Sequence, residues 1–535
     1  RRKLRVAHAG YTRNSVRYLR MEDSMSSLAF QHPISTDRGR VPYSRCTTTQ
    51  VVAAGERESC SSSTLKVLLH LLISLALGVF LLLPSLARSE SSYASKCAAF
   101  IYLSYSGAVA GDAPNTTSHK TVNCYLWQQF IALNWPAVGD RFGQPGDRGP
   151  VQWQTFPSLA DVFRPSGVPP AADRHVSLPA SCAARVKAAG LAGPEELTVL
   201  QTPPGPESKR PRINYTEQAG APNHQPSWIG ASNDTNLWYE IRVNREIVEF
   251  IAANRLYRTD GQAAFVASGH PLVLPKGSLE GRSGAIVVKA AWMEAPDPEN
   301  PKWGYFKTSD AAVLDAEGTD CRLTRVALVG LHIIQKTTSQ PSYFWATFEH
   351  VDNVPDENGP VSGSFNLHND RCQPREVIVS DRRCLAEPDG GPMPRSVTIG
   401  CKPNTRPPYH IGGNCPPPRA IQTVRTIPIQ ADVDNANRVV QASIAKTHAN
   451  SIWRYYKLIN VQWSPSPLQD PEVPQAVPAR FGPTIPALPV PNTTMETYLQ
   501  TTTCTTCHVN GALASHTAVS ADFSFIFQAA VGTRP

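Results

Sequence analysis

The sequence lacks the short motifs that mark the commonest nucleotide-binding and zinc-protease sites. It contains no Gly-x-x-x-x-Gly-Lys-Ser/Thr loop, no Gly-x-Gly-x-x-Gly and no His-Glu-x-x-His segment. Internal repeats with a period of about 20–50 residues are also absent, which argues against solenoids and propellers. These absences leave an irregular globular protein whose chemistry must come from elsewhere in the chain.

The chain has little net charge outside its N-terminal segment. Residues 1–66 hold 12 Lys and Arg against 5 Asp and Glu, whereas the rest of the chain holds 39 against 38. A nearly neutral chain offers no broad basic surface for nucleic acid or for another polyanion. We therefore expect no nucleic-acid partner.

The strongest motif is Cys504-Thr-Thr-Cys507-His508, close to the end of the sequence. Cys-x-x-Cys-His is the attachment signature of a c-type haem: two thiols one helical turn apart bond the porphyrin, and the adjacent His binds the iron. Two other readings compete. A dithiol redox pair usually stands in a βαβ pattern, which is missing here. A zinc site would need two further close ligands, and only His516 is near.

Residues 1–87 differ in character from the rest of the chain. Residues 67–83 (VLLHLLISLALGVFLLL) are almost wholly apolar, Lys66 precedes them, and Ser85-Leu-Ala87 resembles a signal-peptidase site. We predict a cleaved signal peptide over 65–87, with an uncleaved membrane anchor as the alternative. Residues 1–64 show no periodic apolar pattern, and we expect an untranslated or disordered leader.

Cysteine usage indicates an exported protein. Apart from the haem motif, eight cysteines follow the signal segment, and an even number suits disulfides in an oxidising compartment. Four of them, Cys372, Cys384, Cys401 and Cys415, lie in one Pro- and Gly-rich stretch, where two local bridges are expected. Together with the haem motif this predicts a periplasmic or secreted bacterial protein, in contact with a membrane only if the signal segment stays uncleaved.

Hydrophobic periodicity predicts an α+β body over residues 88–463. Three β-branched or alternating segments, at 286–293, 325–336 and 342–351, predict strands, and 452–463 predicts a fourth. Helical spacing appears at 123–133, at 236–254 (most clearly from Asn244 onward) and at 433–449. We expect an antiparallel sheet with helices at one face. In the 342–351 strand, alternation puts His350 on one face and Trp345 and Glu349 on the other.

The C-terminal part of the chain has a different organisation. Residues 464–492 contain nine prolines and predict an extended arm. Residues 493–535 then form the haem attachment segment, in which Thr493 and Glu496 have capping-box spacing and predict a short helix leading into the motif. The apolar stretch 522–527 is expected to pack back on the haem or on the body.

Several segments resemble those of large, single-haem, largely uncharacterised bacterial cytochrome c family proteins. They are residues 127–137 (WQQFIALNWPA), 330–333 (GLHI), 344–353 (FWATFEHVDN) and the MET…CTTCH tail at 495–508. The resemblance covers most of residues 120–530. It implies a secreted haem protein and supplies no catalytic residues.

The sixth position of the haem iron separates the possible functions. No Met follows His508, so a second ligand must come from elsewhere, and we predict His332 ahead of His350; Met293, Met495 and His516 are further candidates. Two protein ligands predict electron transfer to an unknown redox partner protein. An open site predicts a peroxidase- or oxygenase-like enzyme, with His332, His350 or Glu349 as acid or base. A carbohydrate- or surface-binding body with an accessory haem is a third possibility.

Overall fold

The architecture rests on a computed structural model that describes residues 96–532 apart from internal gaps. The gaps are residues 165–168, 170–177, 192, 194–195, 203–214, 221–226, 360–362, 379–384, 387–394, 407–409, 412–421 and 478–481. The predicted leader and signal peptide lie outside the described residues. Among the described residues, none of the helices has the length and apolar character needed to cross a membrane.

The described residues form an α+β fold, as predicted. The strands are β1 Lys96–Ala98, β2 Ile101–Tyr102, β3 Thr198–Gln201, β4 Leu237–Val243, β5 Ile286–Glu294, β6 Thr308–Leu314, β7 Cys321–Gln335, β8 Phe344–His350, β9 Arg375–Ile378, β10 Leu385–Ala386, β11 Ser396–Ile399, β12 His410–Ile411 and β13 Tyr456–Gln462. The α-helices are α1 His119–Leu133, α2 Leu159–Val162, α3 Ala180–Ala188, α4 Arg245–Ala253, α5 Thr259–Ala267, α6 Ala431–Thr447 and α7 Cys504–His508. Short 3₁₀ helices occupy Gln152–Thr155, Pro301–Tyr305, Ile452–Tyr455 and Phe525–Ala529.

A seven-stranded sheet organises the body. Its main path runs β13-β8-β7-β5-β4, and β6 pairs with the first half of β7 and with β3. Strand β7 is 15 residues long. Along one edge it pairs with β5 over residues 326–335, and along the other edge it pairs first with β6 and then with β8. Its residues 326–335 are all buried, so both faces of this part of the strand lie within the body.

The predicted strands at 286–293, 325–336 and 342–351 are confirmed with small shifts at their ends. The fourth predicted strand begins as a 3₁₀ turn and becomes β13 only at Tyr456. Strand β4 forms where helical periodicity was predicted, and β6 was not predicted. Strand β3 runs parallel to β6, so the sheet is mixed and not purely antiparallel. Its remaining pairings are antiparallel.

Helices α1 and α6 cover one face of the sheet. Helix α1 begins earlier than its apolar pattern suggests, because the Ser118 side chain accepts a hydrogen bond from the Thr121 N–H and caps the helix. Phe130 stacks on Phe348 of β8 with ring centroids 4.4 Å apart. Trp127 donates from its indole N–H to Asn437 of α6 at 3.1 Å. This face is therefore filled by core packing.

The opposite face of the sheet is covered by the C-terminal part of the chain. Residues 492–494 lie directly on it, and Gly330 of β7 makes room for them: a Cβ at this position would overlap Thr494 Oγ1. The carboxylate of Glu349 accepts hydrogen bonds from the Thr493 N–H at 2.6 Å and from the Thr493 hydroxyl at 2.7 Å. Arg425 pairs with the same carboxylate at 2.7 Å. The segment that leads to α7 is thus fixed to the sheet.

The proline arm lies along the body. Trp463 and Ile485 form a β-bridge that closes the arm into a loop. Within it, Asp470 pairs with Lys276 at 2.8 Å and with Lys336 at 3.1 Å, and Ala476 forms a bridge to Val519 of the tail. The arm therefore contacts both the end of β7 and the chain beyond α7.

Three disulfides join described residues, which confirms the prediction of disulfide bonds. Cys97 pairs with Cys124 and Cys182 with Cys321. Cys372 pairs with Cys401, one of the local bridges expected in the Pro- and Gly-rich stretch. The remaining two cysteines of that stretch, Cys384 and Cys415, lie outside the described residues.

Candidate functional site

The motif Cys504–His508 forms the short helix α7. Thr503 caps it by accepting a hydrogen bond from the Thr506 N–H at 3.2 Å, and the Thr505 N–H donates to the Gln462 side chain at the end of β13 at 3.3 Å. Cys504 and Cys507 are free thiols three residues apart, about one helical turn. The helix therefore presents two thiols and an adjacent imidazole from a fixed position on the body.

The ring of His508 is held in one orientation. Its Nδ1 lies 3.0 Å from the Phe523 carbonyl oxygen, and its ring packs against Trp345 of β8, with centroids 4.4 Å apart. Burial lowers the pKa of His508 to about 4, so the imidazole is neutral near pH 7. Because a carbonyl oxygen can only accept, the single proton of the neutral ring is on Nδ1 and the Nε2 lone pair is left for a ligand.

A tight turn in the tail supplies the carbonyl that holds His508. Asp522 and Phe523 have φ angles of +52° and +59°, in the left-handed region that side-chain-bearing residues rarely adopt. A Cβ at Gly511 would come within 2.6 Å of the Phe523 carbonyl carbon, so glycine is needed for this close approach. The predicted packing of 522–527 back on the body is confirmed, since Ile526 and Phe527 are buried in it.

His508 lines a cavity of about 300 Å³ that is partly open to solvent. Small-molecule and cofactor sites typically measure about 300–1,000 Å³. One wall is the sheet face opposite α1, with residues from β4, β5, β7 and β8. The other wall is the tail from Phe523 to Ala529, together with His508 and Glu496. The cavity thus lies between His508 and part of the sheet face.

His332 of β7 lines the same cavity as His508. It is 9% exposed, and its Nε2 is buried with no hydrogen-bond partner in the part of the chain that the structure describes. This nitrogen lies 3.6 Å from Glu496 Oε2, an ion-pair contact that is longer than an ordinary hydrogen bond. A buried imidazole nitrogen without a partner costs free energy, so the cavity wall carries an unused donor or ligand atom.

Lys289 and Glu496 complete the polar part of the cavity. Lys289 of β5 is the direct cross-strand partner of His332, and burial lowers the pKa of its ammonium group. Burial acts to raise the pKa of Glu496, but His332, Lys289 and the Asn492 N–H outweigh it and hold that pKa below its usual value. Neither residue was predicted to belong to the site. The pairing register of β5 and β7 could have identified Lys289, because it places Lys289 directly opposite His332 on the same face of the sheet.

His350 lies away from this cavity, so the prediction that it might face a haem at α7 is corrected. It is fully buried on the helix-covered face of the sheet and stacks on Phe306 with ring centroids 3.7 Å apart. Its Nε2 is 3.1 Å from the Tyr305 carbonyl oxygen, and its Nδ1 accepts from the Asp352 N–H at 3.2 Å. Both ring nitrogens are therefore used within the core.

The other candidate ligands also lie elsewhere. Met293 and Met495 are buried in an apolar cluster with Trp228 and Tyr239, and neither lines the cavity. His516 is exposed, and its Nδ1 is 2.9 Å from the Ser515 hydroxyl. Of the predicted iron ligands, the structure brings together only His332 and His508.

Two further expectations about this region need correction. Residues 493–498 form turns and not the predicted helix, because Thr493 binds Glu349 and the Glu496 carboxylate accepts from the Asn492 N–H at 2.8 Å. Glu349 is also unavailable as a distal acid or base, since Arg425 and Thr493 occupy its carboxylate.

The thiols do not have the environment of a reactive dithiol. Burial raises the pKa of both Cys504 and Cys507. Redox-active Cys-x-x-Cys pairs instead have a lowered thiol pKa, which supplies the nucleophilic thiolate. The dithiol redox reading is therefore disfavoured by the electrostatics of the site.

Comparison with protein-family models, with curated proteins and with solved structures found no match to this chain. Within the described ranges, no group of three or more His, Cys, Asp or Glu side chains is arranged to hold a metal ion. A haem iron takes its four in-plane ligands from the porphyrin, so its protein ligands number one or two.

Proposed function

We propose that this chain is an exported c-type cytochrome that carries one covalently bound haem and transfers electrons. The observation that supports this most strongly is the arrangement around α7. Its two thiols stand one helical turn apart, and the following His508 lines a cavity whose facing wall carries His332. Cys504 and Cys507 would bond the haem, and His508 would be the proximal iron ligand.

The residues of the cavity fit such a group. His508 has its Nδ1 engaged and its Nε2 available, and His332 has a buried nitrogen without a partner among the described residues. Ile241, Val287 and Ile334 give the sheet wall an apolar surface on which a flat macrocycle would exclude water. When bound, the haem would supply a one-electron ferric/ferrous couple.

Electron transfer is favoured because the chain offers an imidazole from each side. His332 projects from the sheet and His508 from α7, so these two residues would hold the iron. Two protein ligands leave no open coordination position for a substrate. The three disulfides fit a periplasmic or secreted location, where a soluble or membrane-bound redox partner protein would exchange electrons with it.

A haem enzyme with an open distal site is the second candidate. The observation in its favour is that Lys289 and Glu496 line the same cavity as His332. If His332 stays off the iron, these three side chains could donate or accept protons beside a small ligand such as peroxide. This reading shares the attachment chemistry at α7 and differs only in how His332 is used.

The spin state of the ferric protein separates the two candidates. We expect the wild type to be low-spin and His332→Ala to become high-spin and to bind cyanide readily. His350→Ala is the matched control and should keep the low-spin spectrum, because His350 lies on the other face of the sheet. A high-spin wild type that His332→Ala leaves unchanged would favour the enzyme.

A further inference from the structure

A buried ion pair lies next to the turn that holds His508. Lys336, fully buried at the end of β7, pairs with both carboxylate oxygens of Asp522, at 2.8 and 2.6 Å. The Tyr343 hydroxyl and the Leu274 N–H donate to the same carboxylate at 3.1 and 2.8 Å. Removing two charges from water is costly, and this pair is retained only because further hydrogen bonds satisfy it.

The ion pair lies at a turn whose backbone conformation is unfavourable. Asp522 and the following Phe523 both have left-handed backbone conformations, which are unfavourable for residues with side chains. The turn is therefore held from outside: Lys336, Tyr343 and Leu274 fix the Asp522 side chain, and Gly511 makes room for the Phe523 carbonyl group.

We propose that Lys336 and Asp522 are positioning residues for the proximal imidazole. The ion pair fixes the turn, and the turn aims the Phe523 carbonyl oxygen at His508 Nδ1. This inference rests on the proposed function. A hydrogen bond at the outer ring nitrogen makes an iron-bound imidazole a stronger electron donor, which stabilises the oxidised state and lowers the reduction potential. The pair would thus tune the potential without touching the haem.

The arm is connected to the same point. Asp470 lies 3.1 Å from Lys336 and 2.8 Å from Lys276, so the buried lysine holds both the arm and the tail against the end of β7. The segment after His508 is therefore held against the body: Lys336, at the end of β7, pairs with Asp522 in its turn.

The test compares full-length proteins matured with covalent haem. The double variant Lys336→Met/Asp522→Asn removes both charges together, so the net charge stays constant. Tyr343→Phe removes only one hydrogen bond to Asp522. The matched control is Arg185→Met/Asp320→Asn. It removes an exposed ion pair whose atoms are 2.7 Å apart and which lies away from the turn at Asp522 and Phe523. Haem content by pyridine haemochrome and the midpoint potential are measured for each.

We expect equal haem content throughout, a raised potential in the double variant, a smaller rise in Tyr343→Phe and no change in the control. An unchanged potential in a folded, haem-bearing double variant would overturn the inference. If that variant does not fold, an unchanged potential in Tyr343→Phe has the same consequence. A wild type without covalent haem would instead overturn the proposed function, and the inference with it.

Discussion

Gly330 of β7 lies directly beneath Thr494, with no space for a side chain between them: an added Cβ would overlap Thr494 Oγ1 and come within 3.2 Å of Asn492 Oδ1. Asn492 in turn donates to Thr347 Oγ1 and to the Phe348 carbonyl, both at 2.9 Å. The contact fixes how closely the chain that leads to α7 approaches the sheet. The position of the Cys504–His508 motif therefore depends on a contact with a glycine that lies far before it in the sequence.

Substituting this glycine should displace the turn at 492–494. We expect Gly330→Ala to lower the free energy of unfolding by about 1–3 kcal/mol, the usual cost of overpacking a core. Thermal or denaturant unfolding measures the loss. Gly304→Ala is the control, because a Cβ there meets nothing within 4 Å, and it should change stability little. Equal stability of both variants would show that the close contact does not constrain the turn.

The buried pair of Glu349 and Arg425 should behave as structural and not catalytic. Both side chains are fully buried, and removing the Glu349 charge leaves Arg425 with only the exposed Asp356, 3.6 Å away. We expect Glu349→Gln to cost about 3–5 kcal/mol of stability. The visible spectrum of any folded, haem-bearing material should keep its spin state. A spin-state change with unaltered stability would mean that the carboxylate acts at the iron.

Acid should destabilise the protein through His350. Burial, together with the nearby Lys457, lowers the pKa of His350 to about 3 from 6.5, although its bond to the Tyr305 carbonyl opposes the shift. Between these pH values the unfolded chain binds a proton that the folded chain excludes, so stability present above pH 6.5 is lost as the pH falls towards 3. The full window corresponds to roughly 5 kcal/mol.

Unfolding free energies measured from pH 7 to pH 3 test this expectation. Glutamine does not titrate, so in His350→Gln the free energy of unfolding should change less between pH 6.5 and 3, even if the variant is less stable at neutral pH. The exposed His516→Gln is the control and should leave the slope as in the wild type. A wild-type slope in His350→Gln would show that another group causes the acid sensitivity.

The disulfides should differ in their contribution to stability. The bridge Cys182–Cys321 closes a separation of 139 residues, against 27 for Cys97–Cys124. In the chain-entropy model the longer loop gives about 1.5 kcal/mol more stabilisation. Denaturant unfolding of the two paired Cys→Ser variants measures this difference, and equal losses would contradict it.

Cys384 and Cys415 should be paired in exported material. We expect non-reducing peptide mapping to recover them in one disulfide-linked fragment. Free thiols at both positions in native exported protein would contradict the prediction of two local bridges in this stretch.

The sequence identified the motif and most of the sheet, because both depend on local patterns. Alternation alone separated His350 from Trp345 and Glu349 on β8. It could not say which face the tail would cover, since that depends on contacts such as Gly330 with Thr494, far apart in the chain. Lys289 was missed for the same reason: only the register between β5 and β7 brings it beside His332. The capping-box spacing misled because Thr493 and Glu496 bind other partners.

The most direct test of the account is whether haem is covalently bound at α7. The protein should be expressed in a host with haem c maturation machinery and its intact mass measured after acidic organic extraction. We predict one haem per chain in the wild type and none in Cys504→Ser/Cys507→Ser, with Cys182→Ser/Cys321→Ser retaining it as the control for thiol loss elsewhere. Haem that remains covalently attached to Cys504→Ser/Cys507→Ser, or a wild type that carries none, would contradict the account.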